Sequence, residues 1–310
     1  MAHQALSPVC RFCSEPLIHT FCNLGMSPPS NAYLSEENLR HAETFFPLHA
    51  LVCDKCKLVQ LEQFQAPNEI FSDYAYFSSY SQSWLQHAKE YAESMTSRLS
   101  LSGKKQVVEI ASNDGYLLQY FHQKGISVLG IEPAENVAEV AISKGINTLV
   151  SFFGVETAEK LVAAGTKADL LLGNNVLAHV PDINDFVKGM AVLLSEDGTL
   201  TMEFPHLLQL IRFNQFDTIY HEHFSYLSLH TVKEIFASYG LTIFDIDEIP
   251  THGGSLRIYA QHNKASPQPT ESFNKVLADE NTAGINEIRT YTNFQLKVQE
   301  TKRKLLSFLI

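Results

Sequence analysis

The 310-residue chain is 45% hydrophobic and 18% charged, which excludes a disordered or fibrous protein and, with cores of ~100–200 residues the norm, suggests more than one domain. Lys and Arg number 23 against 34 Asp and Glu, a formal charge of −11, so no nucleic-acid partner is expected: a duplex-binding face must neutralise phosphates. No apolar stretch approaches the ~18 residues of a membrane span, and the opening MAHQALSPVCRF lacks the basic start and apolar run of a leader, so a cytoplasmic protein without a membrane partner is expected.

Four of the five cysteines form two pairs early in the chain, Cys10-x-x-Cys13 and Cys53-x-x-Cys56, with the turn formers Ser27, Pro28, Pro29, Ser30 and Asn31 between them. Each C-x-x-C turn puts two thiolates on one side of an ion, and two turns complete the tetrahedron that Zn²⁺ prefers. A redox dithiol needs only one pair, generally opening a helix in a βαβ unit, and buried free thiols need no such spacing. Cys10, Cys13, Cys53 and Cys56 are therefore read as a structural zinc site with no open position for catalysis. Its binding would supply on the order of 10 kcal/mol of folding energy to a region with little core. Cys22 is read as a plain thiol.

From Val107 onward, short apolar runs alternate with helical patterns. The runs predict strands at Gln106–Ile110, Ser127–Ile131, Asn147–Val150, Ala168–Gly173 and Gly198–Phe204, with helices such as Leu117–Lys124 and Asn136–Lys144 between them. That order means βαβ units and a doubly wound parallel sheet, an α/β fold. Thr242–Glu248 and Gly254–Gln261 follow as an antiparallel edge pair. After Ser266-Pro-Gln-Pro comes one long helical pattern from Phe273, with Ile285, Ile288, Tyr291, Phe294, Val298 and Leu305 as its apolar stripe. It ends on Leu305, Leu306, Phe308, Leu309 and Ile310, an apolar surface that either a second copy covers, making a homo-oligomer, or an absent lobe does.

The passage Val107-Val-Glu109-Ile-Ala111-Ser112-Asn113-Asp-Gly115 runs from strand through tight turn into helix, where a doubly wound sheet binds its ligand. It lacks G-x-G-x-x-G, which weakens a dinucleotide reading. The next strand ends on Glu132-Pro133, a carboxylate placed to accept from two ribose hydroxyls, and the fourth on Asn174-Asn175 before His179. This series resembles the class I S-adenosylmethionine (SAM)-dependent methyltransferases. The resemblance makes SAM the cofactor and Glu109, Ala111, Ser112, Asn113, Gly115, Glu132, Pro133, Phe153, Asn174 and Asn175 its binding residues.

Tyr220-His221-Glu222-His223-Phe-Ser-Tyr226 packs two histidines, a carboxylate and two tyrosines into one passage. Two ligating histidines without a third partner, a satisfied polar core, and a general base with its orienting groups are the three readings open to it. Taken with the Cys₄ region, the cofactor loop and Thr251-His-Gly-Gly-Ser-Leu-Arg257, the passage resembles the nucleotide-sugar C-methyltransferases, over residues 8–300. The resemblance implies removal of the C3 proton of a nucleotide-linked 4-keto-6-deoxy sugar and attack of the enolate on the SAM methyl. In that scheme His223 is the base, Glu222 and Tyr220 orient it or polarise the ketone, His179 flanks cofactor or sugar, and Tyr76 closes over the sugar. Three parts are expected: a zinc-binding domain at 1–72, a methyltransferase domain at 73–265, and at 266–310 a linker and helix leading toward a further lobe. The rival readings are an O- or N-methyltransferase of another small molecule, and a SAM-binding protein impaired in catalysis.

Overall fold

The structure, a computed structural model, describes residues 8–31, 33–71 and 76–310. The expected boundary between residues 72 and 73 lies outside the described residues, as does the opening segment 1–7.

Two sheets organise the chain. The larger contains β4 (Gln106–Ile110), β5 (Ser127–Glu132), β6 (Thr148–Val150), β7 (Ala168–Asn174), β8 (Leu194–Pro205), β10 (Leu241–Ile249) and β11 (Ser255–His262), in the order β10-β11-β8-β7-β4-β5-β6. β6, β5, β4, β7 and β8 are mutually parallel, while β11 runs antiparallel to β8 and β10 antiparallel to β11. The chain steps outward from β4 through β5 to β6, then returns to the other side of β4 with β7, so a crevice opens at the carboxyl ends of β4 and β7. The central strands read as continuous apolar runs because both faces are covered: Val107, Val108 and Ile110 of β4 and Leu170, Leu171 and Leu172 of β7 are all buried. On one face lies the helix Gln82–Arg98. It buries Ala88, Tyr91, Ala92 and Met95 at helical spacing, and its N-cap Ser81 accepts the Trp84 amide.

The smaller sheet has the order β1-β2-β3-β9, with β1 (His19–Ser27), β2 (Phe46–Val52), β3 (Val59–Leu61) and β9 (Ser225–Tyr226), all antiparallel. Its fourth strand comes from far along the chain: Val59 pairs with Tyr226 and Gln60 with Ser225, and the Leu61 amide donates to the Phe224 carbonyl at 3.1 Å. The cysteine-bearing region is thus sewn to the segment that follows the Tyr-His-Glu-His passage.

The long helical pattern after residue 270 divides into Glu271–Thr282, Ile288–Thr292 and Phe294–Leu309. Gly284, at φ 75°, takes the left-handed conformation in the first break. Ile285, Tyr291, Phe294 and Val298 pack on the smaller sheet, where Phe294 stacks on Phe21 of β1 with ring centroids 4.6 Å apart. Leu305, Leu306, Phe308 and Leu309 are exposed. Glu280, fully buried, fastens the first of these helices: it bonds His206 at 2.7 Å and accepts the amides of Leu229 and His230.

Candidate active site

The four expected metal ligands meet. The sulfurs of Cys10, Cys13, Cys53 and Cys56 all lie within 4.8 Å of one another, with Cys10–Cys56 and Cys13–Cys53 at 3.5 Å. Zinc–sulfur bonds of ~2.3 Å in a tetrahedron put sulfurs ~3.8 Å apart, so the donor set fits Zn²⁺. It is a closed shell of soft ligands, and it touches the rest of the chain directly. Thr231 donates to the Cys56 carbonyl at 3.0 Å, Arg11 to the Pro181 carbonyl at 3.1 Å, and Asn184 to the Arg11 and Phe12 carbonyls at 3.0 Å. Cys22 is buried in the other core of this region, and burial pushes its thiol up to about 12.

The crevice beside β4 opens into a cavity of about 880 Å³. Ala111, Asn113, Glu132, Pro133, Phe153, Asn174 and Asn175 line it; Glu109, Ser112 and Gly115 do not, and are packed beneath its floor. Glu109 is wholly buried, and desolvation, with the charges of Glu132 and Asp114 adding to it, raises its carboxyl well above the ordinary range. Its two oxygens, the Ser112 hydroxyl, the Asn174 amide nitrogen and the Asn175 amide oxygen find no hydrogen-bond partner among the described residues. Buried polar atoms without partners under a crevice mark where ligand or water must bond. Glu132 accepts the Asn113 amide on one oxygen and the Ala134 amide on the other, both at 2.9 Å. That fixes the carboxylate at the rim with lone pairs to spare. The loop approaches β5 closely at Gly130, where a Cβ would collide with the Ser112 hydroxyl.

The Asn113 side chain faces elsewhere. It accepts the Ser78 amide at 2.8 Å and donates to the Tyr76 carbonyl at 3.1 Å, while Ser79 bonds Asp114. The cofactor loop thereby holds the strap that carries Tyr76, which faces the cavity from an exposed position.

Tyr220, Glu222, His223 and His179 line the same cavity. His223 Nδ1 lies 3.2 Å from the Thr218 carbonyl, which can only accept, so Nδ1 carries the proton. In the neutral ring Nε2 is then an acceptor, and the Tyr220 hydroxyl, 2.8 Å away, donates to it. Burial, with the neighbouring His179 adding to it, holds His223 well below its usual pKa, so the ring is uncharged at neutral pH. His179, its ring centroid 4.7 Å from that of His223, is pushed down to about 4 by desolvation. Glu222 is raised by burial and partly restored by Asn31, whose amide donates to it at 2.8 Å. His221 points away, donating to the Pro47 carbonyl at 3.2 Å and packing edge-on against Phe46 and Phe64. The two histidines of the passage therefore do not share a ligand.

Several lining residues escaped the sequence reading, four of which bring rings or a side-chain amide to the wall. Asn31 reaches in from the cysteine region at φ 56°, His252 from the loop between β10 and β11, Trp84 from the first turn of its helix, and Phe186 meets Phe153 edge-on at 5.3 Å. Available signals were Asn31 after two prolines, His252 before two glycines, and Trp84 as the only tryptophan.

Comparison with known proteins completes the picture. A methyltransferase domain model matches residues 84–246, a zinc binding domain model residues 10–71, and a C-methyltransferase C-terminal domain model residues 250–310. C-methyltransferase NovU of Streptomyces niveus is 34% identical over 296 residues, covering 96% of this chain and 70% of that protein. The chain belongs to the C-methyltransferase family. Ubiquinone biosynthesis O-methyltransferase of Bartonella tribocorum is 30% identical over 95 residues, 30% of this chain and 38% of that protein. Among solved structures, magnesium protoporphyrin IX methyltransferase of Synechocystis with bound SAH has a TM-score of 0.46 at 17% identity, covering 57% of this chain and 82% of that one.

This C-methyltransferase is a SAM-dependent enzyme with a zinc-binding region, and its residues suit both groups. No Lys or Arg lines the cavity among the described residues, whereas Glu132, Asp182, Asp185 and Glu222 do. Such a wall favours a cationic sulfonium over an anionic cofactor. Glu132 would hold the ribose, and Phe153 and Phe186 offer an apolar flank. No helix among the described residues is long and apolar enough to cross a membrane.

Proposed function

We propose that the enzyme methylates C3 of a nucleotide-linked 4-keto-6-deoxy sugar by way of an enolate. The observation that carries this reading is the hydrogen-bonded Tyr220–His223 pair, its tautomer set by Thr218, facing the cavity that holds the cofactor residues. SAM, when bound, supplies an electrophilic methyl group. The chain's own residues make and keep the nucleophile. A C–H beside a ketone is weakly acidic, so its removal needs a positioned base and a donor on the enolate oxygen. His223 Nε2 is the base of the pair, but the Tyr220 hydroxyl occupies it. The proton of C3 therefore passes to the Tyr220 oxygen as the Tyr220 proton moves to Nε2, and the C–H electron pair enters the enolate. The imidazolium so formed sits where burial disfavours charge, which favours loss of its extra proton to solvent once the methyl has replaced the C3 hydrogen. Glu222, buried and steadied by Asn31, and His179 flank the pair.

Incubation with labelled SAM and a TDP-4-keto-6-deoxy sugar tests the reading, with a carbon-bound labelled methyl expected. Label on oxygen or nitrogen, or His223→Ala retaining most of the activity, would refute it in favour of heteroatom transfer.

A further inference from the structure

The loop Thr251–Gly254 joins β10 to β11 and reaches the cavity wall, where it is pinned from several sides. Gln215 donates to the Gly253 carbonyl at 2.9 Å, the His206 amide to the Gly254 carbonyl at 2.9 Å, Ser255 to the Thr251 carbonyl at 3.0 Å, and the Thr251 hydroxyl to Glu203 at 3.3 Å. Inside it His252 lies at φ 53°, ψ 31°, in the left-handed region, and Gly253 and Gly254 follow at φ 77° and 116°. Neither glycine has room for a Cβ, which would meet the side chains of Gln215 and Gln209. A non-glycine residue in that region costs on the order of 1 kcal/mol and persists where its surroundings impose it. What the loop obtains is an imidazole on the cavity wall, its edge packed on Trp84 with ring centroids 5.7 Å apart.

Among the described residues three imidazoles line this cavity, and two of them are held by hydrogen bonds. His223 bonds Thr218 and Tyr220, and His179 bonds the Glu222 backbone. His252 makes no hydrogen bond to any described residue, and the residue is exposed at the cavity wall. It lines the same cavity as His179 and His223 and is near enough to both to disfavour charge on them. With no Lys or Arg in the described lining, the His252 ring N–H is a donor available to a neutral oxygen there.

We propose that His252 binds the acceptor substrate, its ring N–H donating to a keto or hydroxyl oxygen beside the carbon that receives the methyl group. The proposal rests on the acceptor being a keto sugar, as above, and assigns a recognition contact separate from the Tyr220–His223 pair.

Trp84 is the only tryptophan in the chain, so its emission reports on this wall. With S-adenosylhomocysteine bound, adding a TDP-4-keto-6-deoxy sugar to the full chain should change that emission. His252→Phe keeps an aromatic ring against Trp84 but loses both nitrogens. It should weaken acceptor binding about tenfold, the worth of one hydrogen bond, and leave S-adenosylhomocysteine affinity within about twofold. His252→Asn tolerates the left-handed backbone and keeps an amide donor, so it should fall between the two. Unchanged acceptor affinity in His252→Phe, or equal loss of both ligands in His252→Asn, overturns the proposal and leaves the keto-sugar reading standing. A native chain that neither binds nor methylates any 4-keto sugar overturns both.

Discussion

The cysteine cluster and the cavity are built on opposite plans. The cluster takes all its donors from two short turns and closes on itself; no fifth His, Cys, Asp or Glu joins it among the described residues. The cavity takes its walls from segments spread between Asn31 and His252 and leaves buried polar atoms without partners. A closed shell spends its binding energy on folding, while an open one keeps unsatisfied groups for a ligand, at a cost to stability. The two are nevertheless continuous, because β3, three residues beyond Cys56, pairs with β9, two residues beyond His223.

The strongest test of the contrast is removal of the metal. Chelation, or Cys53→Ser, should abolish a stabilisation on the order of 10 kcal/mol, read as a large fall in Tm and a drop from one zinc per chain by elemental analysis. Because β9 hangs on the same sheet, turnover should disappear with it; a metal-free chain that still methylates would show the two regions to be independent. Next in size, Tyr220→Phe and His223→Asn should each lower kcat by 10²–10⁴, roughly the worth of a general base, with SAM affinity kept in calorimetry. Glu132→Ala should do the reverse, weakening SAM by on the order of tenfold to a hundredfold, since hydrogen bonds to a charged group are worth ~1.5–3 kcal/mol each.

The histidines of the cavity predict a pH effect of known sign. His179 is pushed down to about 4 in the folded chain and His223 is lowered as well. Below an unfolded value of ~6.5 the unfolded chain therefore binds more protons, and stability falls with pH by up to about 1.4 kcal/mol per unit per imidazole. For His179 the loss runs from pH ~6.5 down to its folded value. Urea unfolding between pH 7 and 5 should show this, and His179→Gln should flatten the slope. Smallest is Asn31→Ala: losing the donor to Glu222 should cost ~1–3 kcal/mol at a buried carboxyl and raise its pKa, seen as a several-fold lower kcat and a shifted acid limb.

Legibility followed the same division. Strands β4, β5, β7 and β8 were readable because buried parallel strands are apolar throughout, and the antiparallel β10–β11 pair because turn residues separate two β-rich runs. The cysteine spacing was readable because it is local chemistry. The smaller sheet was not. β3 has only three residues, all buried, and the two-residue β9 exists only through its pairing with β3. The apolar stripe after residue 270 was visible, but its partner, Phe21 on β1, lies far away in sequence, and the break at Gly284 was masked because the apolar stripe continues across it through Ile285 and Ile288. In the site, Tyr220 and His223 stood out as neighbours. The Thr218 carbonyl that assigns their proton did not, because a backbone acceptor has no signature in side-chain identity. Glu109 read as a contact residue through the resemblance of its motif, yet its side chain is wholly buried and does not line the cavity.

The seam between β3 and β9 has a consequence for inheritance. An N-terminal region that supplies three strands of a sheet and borrows the fourth is not a detachable module. Grafting it from one relative onto another would juxtapose Val59–Leu61 of the donor with residues 224–226 of the recipient, which directly follow His223. Substitutions on the two sides of that seam should travel together through descent, and chimeras cut between them should lose turnover even when both halves fold.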